Sequence, residues 1–107
     1  MRTPLLIAAA FACATSFIAA AADDAAEALV KKSGCLKCHS VDKKKDGPSF
    51  KEVAAKYKGK PDAEQKLFTH LTTNPKIKID GKEETHDSLK TKNDAEVKAV
   101  IGWILSK

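Results

Sequence analysis

The sequence predicts an all-α domain of four short helices. Two observations carry that expectation. Apolar residues recur at helical spacing in four separate stretches, with Gly and Pro punctuating the gaps between them. The last stretch, 93–107, joins an N-terminal capping signature to an unbroken apolar stripe.

The first helix is expected over residues 24–33, where Ala25, Ala26, Leu29 and Val30 stand among charges and Gly34 closes the run. Ser40 to Gly47 is polar and lysine-rich, and Gly47-Pro48 punctuates it. Phe50, Val53, Ala54 and Tyr57 then fall at i, i+3, i+4 and i+7, one face of a short helix closed by Gly59. Pro61 suits a first helical turn, and Ala63, Leu67, Phe68 and Leu71 carry the third helix until Asn74-Pro75 stops it. From Asn74 to Lys92 there is no helical period, although Ile77 and Ile79 alternate with lysines as in a short extended piece. A structureless loop of that length in a small domain is usually functional or disordered. In the last helix Asn93 caps, Glu96 lies three residues on as in a capping box, and Val97, Val100, Ile101, Ile104 and Leu105 form the stripe. The first and last helices are best placed to pack together.

Residues 1–22 read as an export signal. Arg2 precedes an apolar run and an alanine-rich end, Ala20-Ala21-Ala22, before Asp23-Asp24. The run is short and Ala-rich for a membrane anchor, so no stable membrane insertion is expected after processing. Cys13 belongs to this segment. The domain is therefore expected over 23–107, about 85 residues, which is small for a self-sufficient hydrophobic core. A metal, a disulfide or a bound cofactor should supplement it. The chain carries a formal net charge of +5, yet its one arginine is Arg2 and it has one Tyr and one Trp. Without an aromatic stacking series and with an export signal, an acidic protein partner fits this charge better than nucleic acid.

The stretch Cys35-Leu36-Lys37-Cys38-His39 sets two thiols and an imidazole within five residues. A zinc site commonly draws four ligands from two separated pairs, and no second cysteine pair follows; His70 and His86 fit no common zinc spacing. A dithiol redox motif would follow a strand in an α/β chain, whereas this neighbourhood reads helical. The third reading is covalent haem attachment, whose signature is C-x-x-C-H. Each thiol adds across one vinyl group of the porphyrin, and two intervening residues let the sulfurs reach neighbouring vinyls. The adjacent His39 is then aimed at the iron. A haem would also give a small core a large apolar body to pack around.

With these features the chain resembles the small monohaem class I cytochromes c of bacteria. The resemblance rests on Cys35-Leu-Lys-Cys38-His39 after a short helix, on "GPSFKEVAAKYKG" (47–59) and on "NDAEVKAVIGWILSK" (93–107). It implies the class I cytochrome c fold around one covalent haem c, held by Cys35 and Cys38. It also implies His39 as proximal ligand with its other ring nitrogen bonded to the carbonyl of Pro48. His70 would fall near a residue that touches a haem propionate.

One feature departs from that family. Class I carriers normally bind the second face of the iron with a methionine from the loop before the last helix. Here the one methionine is Met1, inside the export signal. The candidates for the sixth position are His86, late in the 74–92 loop where the family's methionine would fall, then His70, Lys82 or Lys90, Asn93, or no ligand. His86 leads, because imidazole is a good iron ligand once neutral. Together the resemblance and this departure imply a soluble periplasmic electron carrier with a low-potential, bis-histidine haem c and no enzyme activity of its own. The alternatives are a haem protein that binds or senses NO or CO through a displaceable sixth ligand, and an electron-relay subunit of a larger redox enzyme. Lys37 and Lys43-Lys44-Lys45 are expected to rim the haem edge and attract acidic redox partners.

Overall fold

Helix α1 spans Phe17–Lys32 in the structure, a computed structural model that describes residues 17–107. Residues 1–16 lie outside the description, and with them most of the expected export signal, so neither that signal nor the 22/23 boundary is addressed. The helix starts ahead of the expected 24–33 and runs on through Asp23, in keeping with the high helix propensity of the alanine run before it. Among the described residues no helix is long and apolar enough to cross a membrane. At its end the Ser33 and Gly34 N–H groups donate to Leu29 and Lys31 carbonyls, and Gly34 turns the chain at φ +76° into a 3₁₀ turn, Cys35–Lys37.

Helix α2 (Phe50–Tyr57) begins at Ser49, whose buried hydroxyl accepts from the Glu52 N–H at 3.1 Å. Helix α3 (Ala63–Thr72) buries Ala63, Leu67 and Leu71. Helix α4 (Asp94–Leu105) is capped by Asn93, whose side-chain oxygen accepts from the Ala95 N–H at 2.9 Å. The expected capping box is not closed. The Glu96 carboxylate accepts from the Thr91 hydroxyl instead, and the Thr91 hydroxyl oxygen accepts from the Asn93 N–H. Thr91 thus stands between the two residues the box would have joined.

The 74–85 region is more ordered than its lack of helical period suggests. Strands β1 (Lys76–Ile79) and β2 (Lys82–Thr85) pair antiparallel, Lys76 opposite Thr85 and Ile79 opposite Lys82. Asp80 and Gly81 join them with φ of +51° and +78°, the backbone of a type I′ turn. The fold is therefore mainly helical, four helices with one small hairpin added.

The core forms where the helices meet. α4 packs against α1, α2 and α3 and supplies Val97, Val100, Ile101, Trp103 and Ile104; α1 adds Ala26 and Val30. The expected pairing of the first and last helices is present. Burial of this one contiguous cluster, mostly aliphatic, is the main favourable term holding the elements together.

Candidate functional site

Cys35 and Cys38 are half-buried, not joined to each other, and sit on the wall of a cavity of about 330 Å³. Val30 and Val100 line it from α1 and α4, Phe50 from α2 and Leu67 from α3, so its walls are largely apolar. Burial pushes the Cys35 thiol above its ordinary value. That is the opposite of the lowered value a thiol–disulfide catalyst needs.

His39 is oriented from three sides. Its Nδ1 donates to the Pro48 carbonyl at 2.6 Å, which fixes the tautomer and leaves the lone pair on Nε2. Phe50 stacks on the ring at 5.2 Å between centroids, and Trp103 meets Phe50 edge-on at 5.3 Å. Gly47 closes the third side: a Cβ there would lie 2.6 Å from His39 Cε1. The loop reaches this position because the Gly47 N–H donates to the Cys38 carbonyl at 2.8 Å and the Phe50 N–H to the Ser40 carbonyl at 2.9 Å.

His70 and His86 line the same cavity. Their centroids are 4.2 Å apart, and those of His86 and His39 are 6.2 Å apart. Burial lowers the pKa of both His70 and His86, and neighbouring imidazoles add to the effect. Burial thus favours the neutral imidazole in both, the form in which imidazole binds a metal. His86 Nδ1 is buried without a hydrogen-bond partner. The other sixth-ligand candidates stand elsewhere. Lys82, Lys90 and Asn93 are exposed and do not line the cavity, and the Asn93 side chain is committed to its cap.

The chain matches the family described as cytochrome c over residues 24–107. It belongs to the cytochrome c family. It is 37% identical over 83 residues to cytochrome c-551 of Azotobacter vinelandii, covering 75% of this chain and 94% of that one. A match of 33% over 89 residues to cytochrome c-552 of Nitrosomonas europaea covers 73% and 74%. A shorter match, 44% over 45 residues, spans 43% of cytochrome c-551 of Pseudomonas aeruginosa. Among solved structures, the class 1 cytochrome MtoD from Sideroxydans lithotrophicus ES-1 superposes with a TM-score of 0.74 at 50% identity, covering 78% of this chain and 92% of that one. Wild-type Nitrosomonas europaea cytochrome c552 superposes with a TM-score of 0.58 at 32% identity, covering 75% and 96%.

The cofactor of this cytochrome is one covalent haem c, and members of its family are electron carriers rather than enzymes, passing electrons to redox partner proteins. The residues present fit that group. Two unpaired thiols share a cavity wall with an oriented imidazole, the remaining walls are largely apolar, and His86 lines the same space.

Other contributors went unnoticed in the sequence. Gly47 and Phe50 act through close approach to His39, which becomes visible only once the 40–47 loop folds back. Ser49 and Glu52 had a legible signal, the S-x-x-E pattern at a helix start. The lysines that line the cavity are Lys56 and Lys78, not the expected Lys37 and Lys43–Lys45. Lys37, Lys43 and Lys44 are exposed, while the Lys45 amine donates to the Leu36 carbonyl at 2.9 Å and so braces the cysteine turn.

Proposed function

We propose that this cytochrome is a soluble periplasmic electron carrier whose haem iron is held between His39 and His86, at a potential below that of methionine-ligated relatives. The observation that carries this reading is a separation. Two imidazoles on opposite sides of one metal, each bound through a ring nitrogen at about 2 Å, have their centroids about 6 Å apart. His39 and His86 are 6.2 Å apart. The sole methionine, Met1, supports it from the other side.

The haem supplies one-electron exchange between ferric and ferrous iron. Cys35 and Cys38 would hold it by two thioether bonds, and His39, kept in one tautomer by Pro48, would take one face. His86 would take the other and keep the site closed to small molecules. Imidazole in place of thioether lowers the potential, because methionine ligation raises it. The reading of 1–22 as an export signal supports the periplasm, since thioether attachment is normally completed outside the cytoplasm. Acidic surfaces on the partners would match the lysines at the cavity, Lys56 and Lys78, and the exposed Lys37, Lys43 and Lys44.

His86→Met tests the ligand directly. The variant should keep the fold, raise the midpoint potential and gain a thioether-to-iron charge-transfer band in the oxidised spectrum. An unmoved potential and an unchanged spectrum would remove His86 from the iron.

A further inference from the structure

We propose that Asn74 is a positioning residue for His86: with the carbonyl of Pro75 it grips the His86 backbone from both sides and so keeps the ring in place against a competing diatomic ligand. This rests on His86 as sixth ligand, and extends it to what makes that ligand hard to displace.

The two candidate axial histidines are oriented in different ways. His39 is held through its ring, by the bond from Nδ1 to the Pro48 carbonyl. Among the described residues the buried His86 Nδ1 has no such partner. A ligating histidine usually has its second ring nitrogen anchored. Where that anchor is missing, the backbone must do the positioning.

It does so at the neck of the hairpin. The His86 N–H donates to the Pro75 carbonyl at 2.8 Å, and the Asn74 side-chain amide donates to the His86 carbonyl at 3.1 Å. Both peptide groups flanking the His86 Cα are thereby occupied by two consecutive residues. Asn74 sits at φ +52°, a region few non-glycine residues enter and asparagine enters more readily than most. The residue type thus serves two ends: it turns the chain as α3 ends and carries the amide that reaches across to His86. Farther on, the Leu89 N–H donates to the Leu71 carbonyl at 3.0 Å and the Lys90 N–H to the Ser33 hydroxyl at 2.9 Å. The segment leaving His86 is pinned to α3 and to the end of α1, and among the described residues the Asn74 contact is the one side-chain bond to the histidine's own backbone.

The test uses the reduced, haem-loaded full chain and carbon monoxide as probe. At saturating carbon monoxide the binding rate reports how often His86 leaves. Asn74→Gly keeps the positive φ and removes the amide; Asn74→Asp keeps the shape and replaces the donor by an acceptor. Each should bind carbon monoxide about three- to tenfold faster than wild type, as loss of one partly exposed hydrogen bond implies. Spectra without carbon monoxide should stay unchanged. Thr72→Ala, which removes a neighbouring bond from the Thr72 hydroxyl to the Phe68 carbonyl, should leave the rate alone. Wild-type rates in both Asn74 variants overturn the proposal, as does equal acceleration by Thr72→Ala, which would indicate general loosening. A His86→Met protein with an unmoved spectrum and potential is a separate result that overturns the ligand reading and this proposal with it.

Discussion

Gly47 has no room for a methyl group. Its Cβ would meet the His39 ring at 2.6 Å, and that ring cannot retreat without breaking its bond to Pro48 or its stack on Phe50. Gly47→Ala should therefore cost about 1–3 kcal/mol of stability, as overpacking does. With His39 as the proposed proximal ligand, it should also weaken ligation, because the ring is displaced from the position that Pro48 and Phe50 give it. Denaturant unfolding reads the first effect and the high-spin fraction in the visible spectrum reads the second; wild-type values in both would show that the loop yields. At this scale the sequence was uneven. Cys35, Cys38 and His39 were legible because their C-x-x-C-H spacing lies along the chain itself. Gly47 and Asn74 were not, since each acts on a histidine brought to it only by folding. Asn74 showed itself merely as the residue that stops a helix.

The helices were legible because each buries one face, and burial writes a period into the sequence. Helix α4 shows the limit of that legibility at an end. Asn93 was recognisable as a cap, but the partner of Glu96 was not, because Thr91 lies outside the pattern of a capping box. Asn93→Ala should lower stability by about 1 kcal/mol, the usual worth of such a cap. The guanidinium midpoint should fall while the slope and the haem spectrum stay as in wild type. A changed spectrum would return Asn93 to the set of iron ligands. The hairpin was the element least visible. Strand Lys76–Ile79 showed itself only as the alternation of Ile77 and Ile79 with lysines, and Lys82–Thr85, exposed throughout, carries no alternation at all. The one sharp signal was Asp80-Gly81, a dipeptide suited to two consecutive positive φ angles.

Over the whole molecule the excess of lysine matters more for encounter than for folding. Lys56 and Lys78 line the cavity, whereas Lys43 and Lys44 project from the loop after the haem motif. Changing Lys56 and Lys78 together to Gln should alter stability by less than about 1 kcal/mol. It should slow electron exchange with an acidic redox protein several-fold at low ionic strength, and the difference should fade with salt. Stopped-flow rates across a salt series check this, with the pair Lys43→Gln and Lys44→Gln as comparison. Parallel salt curves for the wild type and both variants would leave docking to other groups. The contact between α1 and α4 has a consequence in time. These are the first and last helices of the described residues, and α4 contributes Val100 and Ile104 to the lining of the cavity that the two thiols share. Until α4 packs against α1, the cavity that Cys35 and Cys38 line lacks part of its wall, so docking of that helix and closure of the cavity are one event in folding.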